Sequence, residues 1–175
     1  FHAETEVRFK KKRSFFIEIK PFLAVASVAC VLLFGYLFLI NTNNALYELP
    51  VMQSEIVRGQ ESNNQYEEAV KLYNEKSYSQ ARAILNSLIA AEPEVVQYQY
   101  YAALTYLGEE NWAESKEKLT PIVEGHSVFK DEAKYYLAVS LEKLGNKQEA
   151  IALLKTIPVQ GQLGEKAQQL LKKLD

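Results

Sequence analysis

Apolar positions along residues 62–158 recur with the spacing of helices, not the alternation of strands. In Tyr98–Val123, Ala102, Ala103, Tyr106 and Leu107 share one helical face, and Trp112, Leu119, Ile122 and Val123 supply the apolar positions of a second helix. Gly108 falls between them and predicts the end of the first helix, because Gly accepts the left-handed backbone that helix ends often use. The stretch reads as two short amphipathic helices facing each other across a tight turn.

The same arrangement occurs three times. Ala69, Leu72, Tyr78, Ala81, Leu85 and Leu88 lie 34 positions before Ala103, Tyr106, Trp112, Ser115, Leu119 and Ile122. After one inserted residue come Ala138, Leu141, Gly145, Ala150, Leu154 and Ile157, with Ala150 lying 35 positions after Ser115. The spacing predicts helices at Asn63–Glu75 and Tyr78–Ala91, Glu94–Gly108 and Asn111–Val123, and Phe129–Leu144 and Lys147–Ile157. Pro121 removes a backbone donor near the end of the fourth and predicts a frayed or kinked last turn there. A last amphipathic helix, Glu165–Leu174, carries Ala167, Leu170, Leu171 and Leu174 on one face, as a helix covering the open flank of a stacked array should.

A period of about 34 residues, with small residues where paired helices meet, resembles the tetratricopeptide repeat (TPR) family. The resemblance covers about Ser62–Pro158; Ser115 stands where a small Ala is usual, and Pro93 alone keeps the usual closing proline. It implies an all-α fold: an α-solenoid of about three helix pairs at 62–158 with a capping helix at 159–175.

The resemblance also implies that the first helix of each pair lines a concave face, and that the face binds a protein or peptide. Carried over position by position, it places Tyr66, Tyr100 and Tyr135 on one line across the groove. Val70, Tyr73 and Asn74 surround that line in the first repeat, Gln97, Leu104 and Leu107 in the second, and Glu132, Val139 and Glu142 in the third. Tyrosine offers rigid contact area plus a hydroxyl, which suits a binding surface and suits helix packing equally. Members that grip a C-terminal carboxylate use basic residues at these positions. Here Tyr occupies them and Glu132 and Glu142 add negative charge, so an apolar or slightly basic segment, helical or extended, is the expected ligand.

Upstream of the repeats, Phe22–Ile40 (FLAVASVACVLLFGYLFLI) contains no charge over 19 residues. At ~1.5 Å per residue a helix of that length spans about 28 Å, close to the ~30 Å hydrocarbon core of a bilayer. A single transmembrane helix at 21–41 is expected, with lipid bilayer contact through Phe22 to Ile40. A cleavable signal peptide would have a shorter apolar run and a small-x-small site, which Asn41–Ala45 does not supply. A lipoprotein would use Cys30, but Ser27 stands where Leu is expected and the residues after Cys30 stay apolar. As the only cysteine, Cys30 forms no internal disulfide and reads as a small apolar filler.

The net charge of −2 conceals an asymmetry. Residues 1–20 hold Arg8, Lys10, Lys11, Lys12, Arg13 and Lys20 against Glu4, Glu6 and Glu18, a balance of +3. Basic residues beside a span stay on the cytoplasmic side, which puts the tail 1–20 in the cytoplasm and the repeats on the far side. In a bacterium that is the inner membrane with a periplasmic TPR domain. Residues 42–61 form the juxtamembrane linker, in which Ala45–Arg58 has helical periodicity and predicts a short helix or stalk.

Catalysis finds no constellation. His2 and His126 lie in a tail and a loop, no cluster has metal-ligand spacing, and no phosphate loop or nucleophile elbow is present. No cofactor and no nucleic acid is expected, the basic tail having no aromatic-interleaved module beside it. The expected function is that of a membrane-anchored adaptor or scaffold for a protein or peptide partner beside a membrane complex. Two others stay open: a permanent structural subunit of such a complex, and the transmembrane and sensor part of a regulator with a cytoplasmic domain upstream of Phe1.

Overall fold

The structure is a computed structural model that describes residues 45–54 and 60–175, with side chains from residue 64 onward in the second stretch. The expected tail, the expected span and Cys30 lie outside the described residues. Among the described residues no helix is long and apolar enough to cross a membrane. Every regular element among the described residues is helical: residues 45–47 are a short helical stretch, and seven helices in a row follow from Gln60. They are α1 (Gln60–Asn74), α2 (Tyr78–Ala91), α3 (Val96–Gly108), α4 (Trp112–Glu124), α5 (Lys130–Lys143), α6 (Lys147–Leu154) and α7 (Gly161–Leu174). Each packs on the next, and α3, α5 and α7 also touch in sequence, forming an inner row.

The repeat in sequence is a repeat in burial. Ala69, Ala103 and Ala138 are fully buried where the inner helices meet their partners, and Ala81, Ser115 and Ala150 are fully buried opposite them. Leu85, Leu119 and Leu154 fill the next layer in all three copies. Small residues at the crossing let the helix axes approach, and the leucines fill the space around them. Ser115 is accommodated by Ser140 on α5, whose Oγ lies 3.2 Å from it and 3.1 Å from the Tyr136 carbonyl. Ser115 donating to Ser140, and Ser140 to the carbonyl, satisfies both buried hydroxyl protons.

Each inner helix from α1 to α5 ends in the same way. Lys76, Glu110 and Gly145 take positive φ of 61°, 59° and 82°. The following amides bond back across the turn, Ser77 to the Leu72 carbonyl at 2.8 Å, Asn111 to Tyr106 at 2.9 Å and Asn146 to Leu141 at 2.8 Å. This is the double-bonded cap that satisfies the last carbonyls of a helix. Gly108 is therefore not the left-handed residue expected from its position. It lies in the last turn of α3, where a Cβ would stand 2.4 Å from the Tyr78 ring, so its lack of a side chain makes room for packing. Arg82 ties α2 to α3: it donates to Thr105 Oγ1 at 3.1 Å and Glu109 Oε2 at 2.7 Å, over the Tyr106 ring.

Pro121 lies inside α4, which continues to Glu124. Helix α7 begins at Gly161, four residues before the expected start, and buries Ala167, Leu170, Leu171 and Leu174 as expected of a covering helix. The largest departure is in the linker. The helix expected over Ala45–Arg58 is absent from residues 48–54, which carry no regular secondary structure. Pro50 accounts for it: a helix there would lose a backbone donor and clash with the carbonyl four residues back, and Leu49 is pushed towards extended backbone.

Candidate functional site

Residues 46–54 do not stand away from the repeats as a stalk; they run as a strap along the face formed by the inner helices. The chain passes the third repeat first. Tyr135 on α5 donates its hydroxyl to the Leu46 carbonyl at 2.7 Å, and Tyr136 donates to the Glu48 carbonyl at 3.1 Å. It then reaches the first repeat. Asn74 at the end of α1 grips Met52 twice, Oδ1 accepting from the Met52 amide at 3.0 Å and Nδ2 donating to the Met52 carbonyl at 2.9 Å. Gln97 on α3 donates to the Tyr66 hydroxyl at 2.7 Å, which donates to the Gln53 carbonyl at 3.0 Å. Ser54 closes the strap on Glu67.

Two strap side chains are buried, Leu46 with 6% and Met52 with 1% of its surface exposed. Met52 belongs to the continuous apolar core of the repeats, and Leu49 packs against it. At the other end Tyr47 is held from three sides. Its hydroxyl donates to Glu142 Oε1 at 2.7 Å and accepts from Lys173 of α7, while the Lys143 ammonium sits 4.3 Å from its ring centroid. Lys173 also lies 3.8 Å from Glu142. The covering helix thus does two things: it closes the array and pins the start of the strap.

The line of tyrosines is buried. Tyr66 and Tyr100 are 2% exposed and Tyr135 is fully enclosed. The two readings of these residues are joined in one arrangement, because the rings pack while two of the hydroxyls reach the strap. Tyr100 stacks on Phe129 with centroids 4.9 Å apart, and Tyr73 meets Tyr101 edge-on at 5.4 Å. Burial pushes the phenols of Tyr73, Tyr100, Tyr135 and Tyr136 well above the ordinary tyrosine range. Burial does the same for Tyr47, aided by its bond to the Glu142 carboxylate. Like any phenol these hydroxyls are protonated at physiological pH, and burial extends the protonated form further into the alkaline range.

Of the expected groove residues, Tyr66, Asn74, Gln97, Tyr135 and Glu142 are brought together around the strap. Val70, Tyr73, Tyr100, Leu104, Leu107 and Val139 are buried in the core beneath, and Glu132 is half-buried on α5. Tyr136, Lys143 and Lys173 act on the strap and were not among the expected residues. Tyr136 follows Tyr135 directly, where helical spacing alone assigns it to a different face. Lys173 lies in a helix legible only as a cover.

Among the described residues no group of three His, Cys, Asp or Glu side chains could hold a metal ion. Comparison with protein-family models, with curated proteins and with solved structures finds no match.

Proposed function

We propose that this chain is a membrane-anchored, TPR-type adaptor whose inner helices bind an extended protein segment beside a membrane complex. One observation carries this reading. The inner helices hold residues 46–53, which run from the last residues of a helical turn into a stretch without regular secondary structure, by their main chain, through Tyr66, Asn74, Tyr135 and Tyr136. Main-chain bonding of an extended segment, with a few buried side chains between the bonds, is a general mode of peptide recognition. Support for the anchor is the uncharged run Phe22–Ile40 behind its basic flank. On that reading the tail 1–20 is cytoplasmic and the repeats lie across the membrane, in the periplasm of a bacterium. The module works by binding and needs no cofactor.

Site-specific photo-crosslinking in intact cells tests it. The probe replaces Glu132, half-buried on the inner helix α5, and in a control Lys118 on the outer face of α4. A discrete adduct from position 132 and none from position 118 is expected. The same neighbours captured from both sites would instead make the chain a permanent structural subunit. No adduct from position 132 would sink the adaptor reading.

A further inference from the structure

The five hydrogen bonds from Tyr66, Asn74, Tyr135 and Tyr136 to the strap all address peptide N–H or C=O groups. Every polypeptide carries these groups, so the bonds fix the path of the main chain without reading its sequence. Sequence is read at two apolar seats, those of Leu46 and Met52, and at the Tyr47 seat between Glu142, Lys143 and Lys173. Between and beyond these, Leu49 packs half-buried against the core and Ser54 bonds Glu67, while Glu48, Val51 and Gln53 are exposed and make little demand on residue type. From Glu48 onward the strap is held as a ligand is held: it has no regular secondary structure of its own, and each of its bonds is worth only about 1 kcal/mol net.

We propose that residues 46–54 are an intramolecular ligand that occludes the groove, and that the partner enters as an extended segment of the same chemistry by displacing them. The partner segment carries two apolar side chains six positions apart, of leucine and methionine size, with a tyrosine next to the first. This inference rests on the peptide-binding reading above and adds what guards the site and what opens it. A partner pays the occupancy of the strap as a reduction in apparent affinity by the fraction of molecules in which the groove is open.

The test uses the full chain in lipid nanodiscs and a fluorescein-labelled peptide of residues 46–54, followed by fluorescence anisotropy. A double variant, Leu46→Asp with Met52→Glu, empties both apolar seats and changes no residue of α1 to α7. If the open state is populated at ~1–10%, the double variant binds the peptide about 10–100-fold more tightly than the parent chain. Adding Asn74→Ala then removes that gain. Equal affinity of parent and double variant overturns the occlusion while leaving the groove a peptide site. No binding by a double variant with unchanged helical circular dichroism overturns both readings. If the double variant fails to fold, amide hydrogen exchange of the parent chain decides: the Met52 amide exchanges at least ~10²-fold faster than those of α3 if the strap opens locally. Exchange at the rate of α3 makes the strap a permanent part of the fold and overturns the proposal.

Discussion

Asn74 and Met52 face each other as complementary pairs of donor and acceptor, the side-chain amide of one matching the main chain of the other at 3.0 and 2.9 Å. Only a carboxamide of this length fills both roles. Asn74→Ala is expected to lower stability by about 1–2 kcal/mol in urea titration, through two lost bonds at a partly solvated site. Asn74→Asp keeps the acceptor but turns a second oxygen towards the Met52 carbonyl, and is expected to rescue nothing. Met52 amide exchange, measured on both variants, separates release of the strap from general loss of stability.

Lys76 and Glu110 occupy the left-handed position that Gly145 fills in the third repeat. That backbone costs a residue with a Cβ roughly 1–2 kcal/mol, part of which glycine returns through its greater freedom when unfolded. Lys76→Gly and Glu110→Gly are each expected to raise stability by about 0.5–1 kcal/mol, and Gly145→Ala to lower it by about 1 kcal/mol. Thermal melts of the three variants check both signs. A loss of stability in both glycine variants would mean the caps are not the same motif.

Gly164 is fixed by contact. A Cβ there would lie 2.4 Å from the Val159 carbonyl carbon and 2.5 Å from the Pro158 carbonyl oxygen, both main-chain atoms that no rotamer change can move aside. Gly164→Ala is expected to displace α7 and cost about 1–3 kcal/mol, as overpacking does. Because Lys173 of that helix meets Tyr47, the variant should also speed exchange at the start of the strap.

The buried phenols set an alkaline limit. Tyr73, Tyr100 and Tyr136 have folded-state pKa values raised above the unfolded value, chiefly by burial. Their contribution is therefore complete below about pH 10 and is lost as pH rises towards the folded values. The expected profile is flat to about pH 9 and then falls, each phenol contributing up to ~1.4 kcal/mol per pH unit. Tyrosinate absorbance and helical circular dichroism should change together. Tyrosinate appearing fully while the helices persist would show that these side chains are solvated.

The helices and their pairing were legible because each repeat states the same instruction. Ala69, Ala103 and Ala138 predict a crossing three times over, and a helix error in one copy is corrected by the other two. The strap was not legible in this way. Its partners lie 13 to 126 residues away, and most of its bonds use main-chain atoms that leave no trace in residue type. The apolar periodicity of Ala45–Arg58 pointed to a helix, and Pro50 was the local sign against it. The line of tyrosines is legible from the repeat alone, but its role is not, because rings and hydroxyls of the same residues serve different ends. The place of Gly108 in the sequence points to its backbone, whereas it matters for its missing side chain, which only the position of Tyr78 reveals.

The order of synthesis gives the strap a further consequence. Leu46 and Tyr47 are separated from Tyr135, Glu142 and Lys173 by 89, 95 and 126 residues. At about 5–20 residues per second, a ribosome takes roughly 6–25 s to deliver Lys173 after Tyr47 has emerged. The Met52 end can seat on Tyr66 and Asn74 early, but until then, and at the Leu46–Tyr47 end for most of that interval, the strap is an apolar segment open to chaperones or to the finished groove of a neighbouring copy. The repeats can build from α1 onward in the meantime, but the groove closes over its own chain only when the last helix has arrived.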